Sequence, residues 1–466
     1  MQFIQLLRRY PLRQNDDFIS RTFRVAIPMV LQQLVVSLVS FLDNLMVGQL
    51  GTIEISGVGA SSKYLLIAFA AMMGISAASG AFISQYQGAG KPERVRQSYQ
   101  FSLLSMAIVC LLMIQPAIWS PKAIGTFFTH DPAICQPVAD YMPLAAIALI
   151  PQIYSFSAQN AMRCLGETRL PLYASSAAVF FNAFFNWILI FGHLGAPAMG
   201  VKGAALGTLI ARSLEMFLTM LMVRKNHFVF AGHYADILRI PSDLVKSIAK
   251  RAFPLTINEV GFSAGMALLF KFYGTRGSNV LAAMNIMGSI TDIFFILFSG
   301  MAVANTLIVG QALGANRLEE ARSNAYRLYK LSFLLGLGFA SLMFLSSFIF
   351  PHFFNVDPET REMAIFFIRI YSVFYLIYTM NTQTFFTLRS GGDARHTLIM
   401  DSGWFWLVNL PVVGLATYLT DWPVLVLFFL GQMTDFFKAF LAIRLLMKEH
   451  WLKNLTLETD RQKAAE

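Results

Sequence analysis

Acidic and amide side chains inside long apolar stretches are the residues of this chain best suited to chemistry. Asp43 lies in the stretch Phe-Leu-Asp-Asn-Leu-Met-Val-Gly, and Asn182 and Asn186 lie one helical turn apart in another. Amides at this spacing project from one face of a helix. A carboxylate in apolar surroundings is neutralised by taking up a proton or binding a cation. The three side chains therefore predict a proton or cation site.

Simpler interpretations of the same residues stay open. Asp43 could cap a helix at the membrane interface, near the outer third of its stretch. The two asparagines could hydrogen-bond neighbouring helices together without binding any ligand. The cation site is favoured because these residues occur in only one half of the chain.

The chain repeats itself without a gap at a distance of 226 residues. The matched pairs include Pro28 with Pro254, Gly74 with Gly300, Arg163 with Arg389, Gly166 with Gly392 and Pro197 with Pro423. In this register Asp43, Asn182 and Asn186 correspond to the apolar residues Leu269, Val408 and Val412. Two copies of one unit are typical of membrane transporters that build two lobes around a central site.

The second copy has an acid of its own, Glu259, which corresponds to Gln33 in the first. We expect both to face the seam between the lobes, where Glu259 is a lone carboxylate that attracts cationic substrates. The alternative is a solvated acid at the cytoplasmic end of its helix.

Two further cations, Arg212 and Lys438, also correspond to each other. Each has an acid three residues away, Glu215 and Asp435, so each can pair on its own helix. This repetition favours a structural role for both pairs. Asp292 and Asp401 are weaker candidates near the ends of apolar stretches.

Composition places both copies in a bilayer, since the chain is 56% hydrophobic and only 13% charged, with mean hydropathy +0.57. A soluble domain has about 25% charged residues. Apolar stretches of about 20 residues can span a membrane. We expect an all-α polytopic membrane protein with two six-helix lobes. The twelve predicted spans are 22–47, 57–86, 94–118, 134–164, 169–192, 201–224, 250–274, 282–312, 320–348, 360–388, 396–418 and 423–447.

The charge pattern orients these spans. Most of the 36 Lys and Arg lie at the start or in even-to-odd connections, which predicts cytoplasmic termini. The predicted domains are a cytoplasmic segment 1–21, an N-lobe 22–225, a linker 226–249, a C-lobe 250–450 and a mobile cytoplasmic tail 451–466. The net charge of +10 follows from this loop asymmetry and does not indicate nucleic-acid binding.

The sequence contains no recognisable motif of a soluble enzyme. It has no phosphate-binding loop, no HExxH motif and no nucleophile elbow. Cys110, Cys135 and Cys164 lie in or beside apolar runs and are interpreted as packing residues. Asp131 and Asp357, which share the repeated Phe-Phe-x-x-Asp-Pro, are predicted helix N-caps. We therefore expect a protein that is not an enzyme and needs no cofactor.

Ordered motifs along residues 20–450 resemble the multidrug and toxic compound extrusion (MATE) transporters, of the multidrug/oligosaccharidyl-lipid/polysaccharide flippase superfamily. The motifs are Asp43-Asn-Leu-Met-Val-Gly-Gln-Leu-Gly, Gln85-Tyr-Gln-Gly-Ala-Gly, Arg163-Cys-Leu-Gly-Glu-Thr-Arg-Leu-Pro, Asn186-Trp-Ile-Leu-Ile-Phe-Gly and Gly200-Val-Lys-Gly-Ala-Ala-Leu-Gly-Thr. The resemblance implies export of organic, often cationic or amphipathic compounds in exchange for H⁺ or Na⁺ in the plasma membrane.

For the site, the resemblance implies a coupling function for Asp43, Asn182 and Thr208, with Na⁺ as one candidate ion at Asp43 and Asn182. Asn186 stands where some members have a second acid. In the second lobe, members with a cation site have acids on the seventh and tenth helices. Glu259 lies about one turn earlier than the first of these, and Tyr378 stands near the second.

Alternating access is the expected mechanism, with Pro28 allowing the first helix to bend. Glu259, Gln33 and Tyr378 are candidates for the substrate cavity, and a monomer is expected. Two other functions stay open. A lipid-linked oligosaccharide flippase needs a strongly cationic cavity, for which only Arg212 and Lys438 lie deep enough. A membrane-embedded enzyme needs paired acids or histidines on neighbouring helices, and no such pair stands out.

Overall fold

The computed structural model describes residues 2–12, 17–128, 132–231, 239–354 and 356–465, which form helices and no strand. Short 3₁₀ turns at His193–Gly195 and Phe350–Phe353 and two π turns, Ile399–Gly403 and Phe405–Asn409, accompany the α-helices. The α-helices are α1 Gln2–Arg9, α2 Phe18–Gly48, α3 Thr52–Gly88, α4 Pro92–Trp119, α5 Pro121–Phe128, α6 Pro132–Ile147, α7 Leu149–Cys164, α8 Arg169–Phe191, α9 Val201–Lys225, α10 Ser242–Gly274, α11 Ser278–Gly314, α12 Leu318–Ser346, α13 Pro358–Ser390, α14 Ala394–Leu398, α15 Leu410–Leu419, α16 Val424–Met447 and α17 Leu455–Ala465.

Twelve membrane spans are present when α6 and α7 are counted as one bent span. The other eleven are each long and apolar enough to cross a membrane, with α14, the π turns and α15 forming the eleventh span in chain order. The predicted all-α polytopic fold with twelve spans is therefore confirmed, and the protein is a multi-pass membrane protein.

The fourth span bends by 42° between α6 and α7. Pro151, in the first turn of α7, has no N–H to donate to the carbonyl of Ile147, so the helix cannot continue regularly there. The corresponding residue in the second half is Ile377, inside the continuous helix α13. One proline thus explains why the fourth span is bent where the tenth is not.

Two π turns distinguish the eleventh span from the fifth, α8, which is a regular helix. Pro411 follows directly and has no N–H for the carbonyl of Leu407, whereas Phe185 occupies the corresponding place in α8. A π turn adds a residue to the helix and rotates the side chains that follow it. Side chains on this span therefore shift in register against their counterparts in the first half.

The chain divides into two compact units. The amino-terminal unit comprises Leu31–Gln87 and Lys91–Ala249, and the carboxy-terminal unit comprises Met1–Val30, Gly88–Gly90 and Lys250–Glu466. In each half the second span is far more enclosed than the first. The most apolar 18-residue windows of α3 and α11 are 72% and 61% buried, against 18% for α2 and 17% for α10. The two halves thus repeat the same packing order.

Apolar side chains fill the core around each enclosed helix. In the amino-terminal unit Met72 of α3 packs in one cluster with Met106, Cys110 and Met142. In the carboxy-terminal unit, Met287 and Phe294 of α11 belong to a cluster that is richer in aromatic rings, including Phe367 and Phe428. Cys110 and Cys164 are buried, in keeping with a packing function.

The tail after α16 is folded, so the prediction of a mobile tail is wrong for its described part. Trp451 is fully buried, and Asn454 Nδ2 donates to the carbonyl of Gly314 at 3.2 Å. Arg251 Nη2 forms a 2.7 Å ion pair with Glu458 on α17. The sequence suggested mobility because the tail is polar, but these polar groups bind helix ends of the carboxy-terminal unit.

The first residues of the chain also pack in the carboxy-terminal unit. The rings of Tyr10 and Tyr326 stack with centroids 5.8 Å apart, and the guanidinium of Arg327 lies 3.9 Å from the centroid of the Phe18 ring. Arg327 Nη2 also donates to the carbonyl of Leu12 at 3.1 Å. The amino-terminal segment is thus anchored on α12.

The predicted N-cap at Asp357 is confirmed. Its carboxylate accepts hydrogen bonds from the hydroxyl of Thr360 and, at 3.0 Å, from the backbone N–H of that residue. These hydrogen bonds hold the pKa of Asp357 below its usual range, the hydroxyl contributing most. The matching prediction for Asp131 lies outside the described residues.

Candidate functional site

The four polar residues predicted for the first half lie together in the amino-terminal unit. Asn186 Nδ2 on α8 donates to Asp43 Oδ1 on α2 at 2.6 Å, and lies 3.4 Å from Asn182 Oδ1. Asn182 Nδ2 in turn lies 3.4 Å from Thr208 Oγ1 on α9. Asn182 and Asn186 are buried, and Asp43 is half-buried. Three helices therefore converge on one carboxylate, two amides and one hydroxyl.

Small residues on α9 allow this close approach. A Cβ atom added at Gly207 would lie 2.2 Å from Asn186 Oδ1, and one at Gly203 would lie 2.4 Å from the carbonyl oxygen of Leu189. Only glycine fits at either position without displacing α8. The sequence reasoning did not single out these residues, although their spacing, Gly-x-x-x-Gly in an apolar segment, is a known helix-packing signal.

The oxygens of this cluster suit a hard monovalent cation or a proton. The cluster offers carboxylate, amide and hydroxyl oxygens, the ligand types that hard cations prefer. Asn186 Oδ1 is buried and has no hydrogen-bond donor in the structure. A buried acceptor without a donor is costly, and a bound cation would satisfy it. Within the described ranges no three His, Cys, Asp or Glu side chains form a group that could hold a metal ion.

Arg212 on α9 lies one helical turn from Thr208, a member of this cluster. Its Nη1 donates to Glu215 Oε2 at 2.9 Å, so the predicted ion pair within one helix is confirmed. Tyr141 on α6 packs against an apolar cluster that contains Val47 and Ala204, each one helical turn from Asp43 or Thr208.

A buried hydrogen-bond network continues from Glu215. Its Oε1 accepts from Gln159 Nε2 at 3.0 Å and from Ser175 Oγ at 3.1 Å. Gln32 Nε2 donates to Gln159 Oε1 at 2.9 Å, and Arg163 Nη1 donates to Gln32 Oε1 at 3.3 Å. The sequence reasoning missed this network, whose members lie on α2, α7, α8 and α9.

Glu259 is not the lone carboxylate that the sequence suggested. Its Oε1 accepts from Arg389 Nη1 at 2.8 Å within the carboxy-terminal unit. The guanidinium also lies 4.7 Å from the centroid of the Phe385 ring. Arg389 and Arg163 are counterparts in the repeat, so one half pairs this arginine with an acid and the other with an amide. The sequence reasoning overlooked an arginine on another span.

Lys438 also has a different partner from the expected one. Its Nζ forms a 3.1 Å ion pair with Asp401 Oδ1 in the first π turn, and Asp435 was the predicted partner. Asp401 Oδ2 accepts from Asn258 Nδ2 at 3.0 Å. The internal repeat could have predicted this cluster. Its members Asn258, Asp401 and Lys438 are the counterparts of Gln32, Ser175 and Arg212, which are linked by hydrogen bonds around Glu215 in the first half.

The remaining predicted residues lie apart from these clusters. Tyr378 on α13 packs with Tyr371 and Tyr375, at ring-centroid distances of 6.4 and 5.7 Å. Gln33 is half-buried on α2, and Pro28 lies inside the same helix. The boundary between the compact units falls shortly after this proline, between Val30 and Leu31.

Comparison with known proteins gives a consistent result. A probable multidrug resistance protein NorM of Bradyrhizobium diazoefficiens is 24% identical over 418 residues, covering 87% of this chain and 88% of the relative. A protein of the same description from Thermotoga maritima is 23% identical over 466 residues, covering 98% of each. The crystal structure of a MATE in complex with MaL6 has a TM-score of 0.85 at 17% identity, covering 98% of this chain and 99% of that one. That structural likeness shows the same fold.

The family model MatE matches this chain twice, at residues 28–188 and 254–414. The two matches begin the same distance apart as the repeated motifs, so each half is a copy of the unit that the model describes. Together they cover more than half of the sequence, and the chain therefore belongs to the MatE family.

Proposed function

We propose that this protein is a secondary active antiporter that exports organic, cationic or amphipathic compounds in exchange for H⁺ or Na⁺. The observation that carries the proposal is the contact of Asp43 with Asn186, in a cluster completed by Asn182 and Thr208. Three of these four residues have apolar counterparts in the second half, so the cluster is a local addition to a repeated scaffold. The relatives from Bradyrhizobium diazoefficiens and Thermotoga maritima are described as probable multidrug resistance proteins. Their descriptions support organic compounds as the class of substrate.

Asp43 is the group through which ion binding acts in this proposal. An empty, ionised carboxylate draws the polar side chains of α8 toward α2, whereas a protonated or cation-bound one releases them. Because the buried cluster joins α2, α8 and α9, neutralising its only acid changes which packing of these helices is favoured. Pro28 gives α2 a position at which it can bend. Alternating access then follows from switching between two packings.

The cellular setting is part of the proposal. The protein lies in the plasma membrane as a monomer, with both termini on the cytoplasmic side, the side favoured by its Lys and Arg. Its partners are the lipid bilayer and small organic compounds, and it needs no cofactor beyond the coupling ion. The cavity residues Glu259, Gln33 and Tyr378 and the domain bounds given by the sequence remain proposals.

Asp43→Asn tests the coupling site. We expect the variant to lose gradient-driven efflux down to the level of empty proteoliposomes, because an amide neither titrates nor carries charge. Efflux is measured with separate pH and Na⁺ gradients, which also identifies the ion. Asp243→Asn is the matched control, since Asp243 is a buried acid of the same unit that pairs with Arg94 at 3.0 Å. Full efflux by folded Asp43→Asn protein would reject the proposal.

A further inference from the structure

Arg369 on α13 is a charged residue of a membrane span that has no acidic partner. Arg212 and Lys438, in other spans, each form an ion pair with an acid. Within the described residues no carboxylate lies within ion-pair distance of Arg369. Its counterpart in the first half is Pro143, so this charge is an addition to the second half. A charge in a span is costly unless a partner compensates it, and such residues tend to be functional.

The side chain of Arg369 lies on the exposed face of α13. Phe366 and Val373, three residues before it and four after it, are 45% and 68% exposed, and residues at this spacing share one face of a helix. The nearest acid of α13 on this face is Glu362, two turns toward the helix start and about 10 Å away along the axis. Because α13 packs on α11, α12 and α16 with its other faces, this face is the one that is open to lipid.

The guanidinium of Arg369 is held at the end of α12. Its Nε donates to the hydroxyl of Ser347, directly after the helix, at 3.2 Å. It lies 4.6 Å from the centroid of the Phe348 ring and 5.9 Å from that of the Phe344 ring. The two rings meet edge to face and are both exposed. One side of the guanidinium is thus fixed, while its two terminal nitrogens carry four further N–H donors.

Capping of α12 does not explain this position. The last carbonyls of the helix, those of Phe344, Leu345 and Ser346, already accept backbone N–H groups of the three residues that follow, at 3.1, 3.2 and 3.0 Å. Arg369 contacts the hydroxyl of Ser347 instead. A structural contact of this kind needs one hydrogen-bond donor and no positive charge, so the charge itself calls for another explanation.

We propose that Arg369 binds the phosphate group of a phospholipid at this end of α12. A guanidinium suits phosphate because its planar fork donates two parallel hydrogen bonds and carries the opposite charge. Phe344 and Phe348, together with the exposed side chains of Leu345 and Ile349, offer apolar surface to the acyl chains. The guanidinium lies level with the last residue of α12, where a span ends and the headgroups begin. A basic group between two membrane helices is a known arrangement for holding a lipid headgroup.

The test is native mass spectrometry of delipidated protein in detergent, titrated with dioleoyl phosphatidylglycerol. We expect Arg369→Gln to retain one lipid fewer per protein than the wild type, through a site about tenfold weaker, the loss for one charge-assisted pair. Dioleoylglycerol, which has the same acyl chains and no phosphate, should bind both proteins equally. Millimolar inorganic phosphate should not displace the phospholipid. Displacement would assign the site to soluble phosphate and overturn the inference.

Arg361→Gln is the matched control. Arg361 lies about two turns earlier on α13, and its Nη2 donates to the carbonyl of Val356 at 3.3 Å. The control variant should retain phosphatidylglycerol as the wild type does. An equal loss of lipid from both variants would show a diffuse effect of charge and would also overturn the inference.

Thermal unfolding separates a lipid site from a structural contact. A lipid that binds only the folded protein raises its unfolding temperature. We expect phosphatidylglycerol to raise the unfolding temperature of the wild type more than that of Arg369→Gln, and the two proteins to unfold together without lipid. A variant that unfolds earlier without lipid, yet gains as much from lipid, would reduce Arg369 to its contact with Ser347.

A second variant covers the case in which Arg369→Gln does not fold. Arg369→Lys keeps the positive charge but not the planar fork, so it should retain less phosphatidylglycerol than the wild type and more than Arg369→Gln where both can be measured. Retention of phosphatidylglycerol by Arg369→Lys at the wild-type level, with dioleoylglycerol bound as tightly, would contradict a phosphate site.

Discussion

Both halves of this chain hold an asparagine close to a threonine in nearly the same place. Only the first half adds an acid, Asp43. Asn182 approaches Thr208 at 3.4 Å in the amino-terminal unit, and Asn409 donates to Thr434 at 2.6 Å in the carboxy-terminal unit. Thr208 and Thr434 are counterparts in the repeat, but Asn409 stands one residue beyond the counterpart of Asn182. The π turn that contains Asn409 supplies the extra residue.

This comparison separates packing from cation chemistry. The amide–hydroxyl pair occurs in both units, so it serves first to join the fifth span to the sixth and the eleventh to the twelfth. Where the first half has Asp43, the second half has Leu269. The carboxylate is therefore the feature that distinguishes the proposed ion site from a packing contact.

The ion pairs of the two halves differ in a related way. Arg212 and Glu215 lie on one helix, whereas Lys438 and Asp401 join two helices. The carboxy-terminal pair is also the more enclosed, with side chains 11% and 17% exposed. The second half therefore uses this ion pair to join two helices, whereas the first half keeps the corresponding cation paired on its own helix.

The largest expected effect comes from breaking the carboxy-terminal pair. Lys438→Met leaves the carboxyl group of Asp401 without its cation among buried helices, which we expect to lower the free energy of unfolding by about 3–5 kcal/mol. Thermal unfolding in detergent measures this. The double variant Lys438→Met/Asp401→Ser, which puts serine where the first half has Ser175, should recover most of the loss. An unchanged unfolding temperature for Lys438→Met contradicts a structural pair.

A smaller effect is expected where the amino-terminal unit depends on a glycine. Gly207→Ala places a methyl group 2.2 Å from Asn186 Oδ1, a clash that we expect to cost about 1–3 kcal/mol and to reduce efflux several-fold. Gly338→Ala is the matched control, since a methyl group on that helical glycine meets nothing within 4 Å. Equal stability and efflux for both alanine variants would show that α8 and α9 adjust freely to the added methyl group. The site would then not depend on a glycine at position 207.

The smallest effect is expected at Glu259. Because Arg389 already neutralises this acid, Glu259→Gln should reduce export of ethidium and of a neutral substrate by the same factor, about threefold or less. The measurement is initial efflux rate for the two substrates in the same membranes. Selective loss of ethidium export would instead support the cation-attracting function that the sequence suggested.

Patterns with a fixed period were predictable from the sequence, and long-range contacts were predictable only where the family resemblance supplied them. The twelve spans follow from apolar length, and the meeting of Asp43 with Asn182, Asn186 and Thr208 followed from residue type together with family resemblance. Asp435 was predicted as the partner of Lys438 because a spacing of three residues along a helix can be seen in the sequence. The actual partner, Asp401, lies in a π turn on another span, and no sequence spacing reveals that contact. The tail was mispredicted because polar composition does not reveal hydrogen bonds to the ends of other helices.

The membership of Met1–Val30 in the carboxy-terminal unit has a consequence for how the protein is made. These residues leave the ribosome first, but Tyr326 and Arg327, on which they pack, belong to a helix synthesised much later. The amino-terminal segment must therefore wait, inserted but incompletely packed, until the second half has entered the membrane. Packing of the carboxy-terminal unit is complete only after its last span is made, so a chain that stalls in the linker leaves the residues before Leu31 without the unit on which they pack.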